Sequence, residues 1–183
     1  MGAGNGTINI IANTIQLNTN TFRYIPWTSF SSLPSLSLSN VMNFPTGADC
    51  PVPPSTATLK YRYSVVGNKM YVNYCYYSAS AGTNGNGVYQ YLVPTVATLN
   101  TTDIVVSSTT SAYGTVVGNA IFKQVGSSNG MGKVFISNQN STYGFMLDTE
   151  TSYVVMLGIQ GSSYYPNGAG NIFYQFDAMI PIN

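Results

Sequence analysis

Tyr61-Arg62-Tyr63-Ser64-Val65-Val66-Gly67-Asn68-Lys69-Met70-Tyr71-Val72-Asn73-Tyr74-Cys75-Tyr76-Tyr77 decides the fold class of this chain. Side chains two apart along an extended strand share a face, so each arm is an alternating, tyrosine-rich strand. Gly67 and Asn68 accept the positive φ that a tight turn demands, so the two arms close as a hairpin. Gly82-Thr83-Asn84-Gly85-Asn86-Gly87 then leads to a third alternating run, Val88-Tyr89-Gln90-Tyr91-Leu92-Val93-Pro94, and the block reads as a β-meander. In its middle strand Met70, Val72, Tyr74 and Tyr76 form the core face; Tyr71, Asn73, Cys75 and Tyr77 face the other way. In the last strand Ile172, Tyr174, Phe176, Ala178 and Ile180 oppose Phe173, Gln175, Asp177 and Met179.

Composition extends this reading to the whole chain of 183 residues. Charged residues are only 6%, against 19 Asn, 20 Ser and 19 Thr, so the polar surface is built from hydroxyls and amides. Those side chains compete with the helical backbone for hydrogen bonds, and few Glu/Lys pairs are left to support an exposed helix. An all-β protein follows. Strands are expected at about 58–66, 69–78, 87–93, 103–107, 114–125, 131–138, 143–148, 152–159 and 171–182, mostly separated by Gly and Asn turns. That spacing suggests a two-sheet antiparallel β-sandwich, jelly-roll-like, preceded by a short N-terminal β arm. Residues 1–25 are expected to be the assembly arm, 26–55 a Ser/Pro-rich linker or surface loop, and 56–183 the β-sandwich head. In the arm, Ile8, Ile10, Ile15 and Leu17 alternate with polar residues in a segment with little room for a private core, and such strands pair with an edge or with neighbouring subunits. Tyr71, Cys75 and Tyr77 are the matching interface candidates on the head, because both faces of its strands carry aromatic surface.

Several function classes lose support. The six basic residues are scattered and the net charge is +1, which leaves no basic stripe for nucleic acid. Neither a long apolar run nor a signal peptide is visible, so membrane insertion is not expected. With no histidine there is no Ser-His-Asp triad, Cys-His dyad or histidine-ligated zinc site, and neither catalytic residues nor a cofactor or metal are assigned. Asp148 and Glu150 form the one close acidic pair, read as a solvated hairpin turn since calcium needs six to eight oxygen ligands. Cys50 and Cys75 are read as free thiols, because a core of this size needs no staple. Tyr164, Tyr165 and Asn167, in the glycine-rich loop 161–170, carry two readings: a glycan-binding loop, in which rings stack on sugars and the amide bonds hydroxyls, or a tyrosine pair that packs its loop down. Trp27 is read as an anchor for the linker.

Tyr61, Tyr63, Gly67, Asn68, Val72, Gly85, Gly87, Tyr89 and Pro94, with the ending Ile180-Pro181-Ile182, form a pattern that resembles the β-sandwich head domains of viral surface fibres. Such domains occur in phage tail-fibre tips and in virion proteins of large DNA viruses. The arm at 6–18 looks like the short β segments that precede these heads. The resemblance implies a non-enzymatic viral structural protein: a trimeric fibre head or capsid-decorating domain on the virion exterior, made in the host cytoplasm, with itself, other virion proteins and host surface glycans as partners. A carbohydrate-binding or lectin-like module not tied to a virion is the alternative.

Overall fold

The computed structural model describes residues 14–17, 20–29, 42–43, 54–80, 90–106, 114–124, 130–139, 142–149, 155–156 and 172–183. All of their regular structure is extended. The strands are β1 (Thr14–Leu17), β2 (Asn20–Ser29), β3 (Met42–Asn43), β4 (Thr58–Val66), β5 (Lys69–Ser78), β6 (Gln90–Leu92), β7 (Val116–Gln124), β8 (Gly130–Gln139), β9 (Thr142–Thr149), β10 (Val155–Met156) and β11 (Ile172–Pro181). Every pairing is antiparallel, and the hydrogen-bonded order is β1-β2-β4-β5-β11-β7-β8-β9-β6-β3, with β10 beside β9. The six strands β4, β5, β11, β7, β8 and β9 form the body of this sheet.

The hairpin expected at Gly67-Asn68 is present. Val66 pairs with Lys69, and Gly67 adopts φ 61°, a left-handed conformation that glycine reaches at no steric cost. Gly67 N also donates to Arg23 O at 2.7 Å, which ties the turn to β2. The C-terminal strand β11 sits between β5 and β7 in the middle of the sheet. Beyond it, Ile182 N donates to Asn68 O, and Asn183 N to Thr98 O, both at 2.9 Å, so the chain end stitches the β4–β5 turn to the segment after β6.

Alternation places the core as expected: Met70, Val72, Tyr74 and Tyr76 of β5 and Ile172, Tyr174, Phe176, Ala178 and Ile180 of β11 are buried. Phe176 stacks on Tyr74 (centroids 5.2 Å apart, 19° between planes) and meets Tyr91, Phe145 and Tyr61 at 5.2, 5.6 and 6.3 Å. Tyr91 lies in β6, five strand steps from β5 along the ladder, a separation of about 24 Å in a flat sheet. Its ring is nevertheless 4.7 Å from that of Tyr74. The Tyr61 hydroxyl of β4 also donates to Leu92 O at the end of β6. The sheet therefore bends back so that β6 and β9 cover the inner face of β4, β5 and β11, and the aromatic cluster fills the space between.

Two features differ from the sequence reading. No strand forms at 103–106: the Asn100 side chain accepts from Thr102 N at 3.0 Å and donates to Asp103 Oδ2 at 2.9 Å, which closes a turn instead. Val105 and Thr115 bond each other, Thr115 N donating to Val105 O and Val105 N to the Thr115 hydroxyl, both at 2.8 Å. Second, β2 continues past residue 25, through Pro26 and Trp27 to Ser29. Its register against β4 shifts between Ile25 and Thr28, a bulge that leaves Pro26 with no ladder bond to donate.

Candidate functional site

The outer face of the body can be mapped from the strand registers. Its central row runs Ser29, Arg62, Asn73, Asp177, Asn119 and Lys133 across six adjacent strands, β2 to β8. Hydrogen bonds link its members: Arg62 Nε donates to Asn73 Oδ1 at 3.1 Å, and Asn73 Nδ2 donates to Asp177 Oδ1 at 2.7 Å. Gln175 Nε2 reaches Asp177 Oδ2 at 3.2 Å, while Lys133 Nζ donates to Asn119 Oδ1 at 3.1 Å. Opposite charges and amides aligned cross-strand in this way hold register as well as surface chemistry.

On one side of that row lie Lys60, Cys75, Gln175, Ile121 and Met131, and next to them Thr58, Tyr77, Phe173 and Lys123. Tyr77, Ile121 and Met131 are 44%, 49% and 68% exposed. With half-buried Phe173 they make a cluster of apolar residues, interleaved with Gln175 and Lys123, toward the Ser78 end of β5. On the other side Tyr71 lies between Ser64 and exposed Met179. Of the interface candidates, Cys75 and Tyr77 thus belong to the patch and Tyr71 stands across the polar row from it. Ile15 and Leu17 lie in β1, the outermost strand, opposite Phe22 and Asn20. Ile8, Ile10, Tyr164, Tyr165, Asn167 and Cys50 lie outside the described residues.

The Cys75 thiol is free. Burial pushes its pKa up, Lys60 and Arg62 pull it down, and Asp177 pushes it up again. The outcome is a raised pKa, so the thiol stays protonated at neutral pH and has little nucleophilic character. Among the described residues no three His, Cys, Asp or Glu side chains converge on a metal-sized site, and no helix is long and apolar enough to cross a membrane.

One element was not legible from the sequence. Trp27, half exposed on the β2 bulge, lies under the Arg62 guanidinium, whose Cζ is 4.9 Å from the indole centroid. The two residues are far apart in sequence, and only the β2–β4 register brings them together. Trp27 therefore has a structural partner on the body, as an anchor would, yet half of its surface stays open. No family of known proteins, no curated protein and no solved structure matches this chain.

Proposed function

We propose that the chain is a non-enzymatic viral structural protein, a trimeric fibre-head or capsid-decorating domain on the virion exterior. In this reading the bent sheet is a two-layer sandwich of jelly-roll type, the arm pairs between subunits, and other virion proteins and host glycans are its partners. The observation that carries the assembly part is the apolar patch of Tyr77, Phe173, Ile121 and Met131, with Cys75 beside it, next to a row of charged and amide side chains. Apolar clusters flanked by polar residues mark protein interfaces, and the hydrogen-bonded row from Arg62 to Lys133 supplies that polar edge. The viral part rests on the resemblance of the Tyr61 to Pro94 motifs to fibre heads.

Mass spectrometry of purified virus particles tests the placement: peptides of this chain at a stoichiometry comparable to the major surface proteins support it, and their absence from particles refutes it. The half-open Trp27 beside Arg62 favours a second reading, a lectin-like module, for which saccharide binding by a monomeric chain would be the distinguishing result.

A further inference from the structure

From the corner where β2 meets β4, we infer a binding site for an acidic sugar, with Arg62 taking the carboxylate and Trp27 the ring. Three features of that corner argue for it. The Arg62 guanidinium is held at two points, by Asn73 on its Nε and by the indole beneath its Cζ. Asn73 is itself fixed by Asp177, whose other oxygen is engaged by Gln175, so the arginine is braced through a chain of three side chains. A guanidinium tied at Nε still has its terminal N–H groups, and among the described residues nothing takes them. They form a fork whose spacing matches the two oxygens of a carboxylate.

The surroundings select the rest of the ligand. Half of the Trp27 surface is open next to that fork, and an indole accepts the C–H face of a sugar ring. Ser29 is the cross-strand neighbour of Arg62 on the same face and offers a hydroxyl for the sugar, whereas the Thr28 hydroxyl already donates to Pro26 O at 2.9 Å. Lys60 lies two residues from Arg62 on the same face, about 7 Å along the strand, and adds a second positive charge. The neighbouring carboxylate, Asp177, already accepts from two amides and does not compete for the fork. The apolar patch begins one strand step away, at Tyr77 of β5, and runs from there to Ile121 and Met131, three and four steps from β4. The inference does not rest on trimer formation.

Trp27 is the one tryptophan of the chain, so selectively excited indole emission reports on this corner alone. The full chain is titrated with methyl glucuronide, with the neutral methyl glucoside and with acetate, while calorimetry follows the same additions. Saturable binding of the glucuronide is expected, at least about tenfold tighter than either control, the value of one charge-assisted bidentate contact. R62K keeps the charge and loses the fork, and is expected to weaken glucuronide binding about tenfold with an unchanged melting curve. N73A frees the arginine and should give a smaller loss. The inference is overturned if glucoside binds as tightly as glucuronide, if acetate alone matches it, if R62K binds normally, or if neither emission nor heat shows saturation.

Discussion

Replacing Phe176 with alanine empties the centre of the aromatic cluster. The ring is fully buried and touches Tyr74, Tyr91, Phe145 and Tyr61, which come from four other strands. Substitutions of this kind cost about 3–5 kcal/mol, depending on how far the surroundings can collapse into the cavity. Here the four neighbours sit on separate strands of a hydrogen-bonded sheet, so collapse would have to move β6 and β9 toward β11. The upper end, about 4–5 kcal/mol, is therefore expected, a large part of the roughly 5–15 kcal/mol that stabilises an ordinary domain. Urea unfolding followed by circular dichroism measures it, with the dependence on denaturant unchanged if the native state remains compact. Phe173, next in sequence but on the outer face, is the control, expected to lose less than about 1.5 kcal/mol on the same change. If Phe176→Ala loses no more than Phe173→Ala, β6 and β9 do not cover β11 and the bent-sheet arrangement is refuted.

Further expectations concern the same core and its ladder. Tyr61→Phe removes the hydroxyl that bonds Leu92 O and should cost about 1–2 kcal/mol; thermal melts of the variant beside the parent measure it. Gly118→Ala would place a Cβ 1.9 Å from Asp177 O and 2.8 Å from Ala178 Cα, backbone atoms of β11 that cannot turn aside; a loss of at least about 2 kcal/mol is expected by urea unfolding, and a neutral result would contradict the β7–β11 pairing. Burial first, and then the neighbouring Tyr91, raises the pKa of Tyr61 and Tyr74 above the ordinary 10.0. The unfolded chain thus gives up these protons first, so their contribution is complete below pH 10 and declines above it. Each tyrosine is expected to lower stability by about 1.4 kcal/mol per pH unit there. Tyrosinate absorbance should rise for these two only as the protein unfolds.

The sequence made the central strands legible because their determinants are local. The ends of β4 and β5 fall where the alternation and the Gly67-Asn68 turn place them, and the buried faces of β5 and β11 follow from the two-residue period. The Thr101-Thr102-Asp103 segment misled because Ile104, Val105 and Val106 look strand-like, while the Asn100 side chain captures the backbone first. Pro26 read as the beginning of a loop; the bulge in β2 accommodates it within a strand. Neither the position of β11 between β5 and β7 nor the Trp27–Arg62 contact has a local signal, since both depend on which strands pair and in what register. Tyr77 and Cys75 could be put on the outer face from alternation alone, but Ile121 and Met131, which complete the apolar patch, required the register of β7 and β8.

The most direct test of subunit assembly is whether that patch holds copies of the chain together. Light scattering on the full chain and on an Ile121→Lys/Met131→Lys variant compares their masses. Both substituted residues are exposed, so the variant should keep the circular dichroism of the parent. The expected result is three times the 19.6 kDa chain mass for the parent and a single chain for the variant. A parent that is already monomeric, or a variant that remains trimeric, would contradict it.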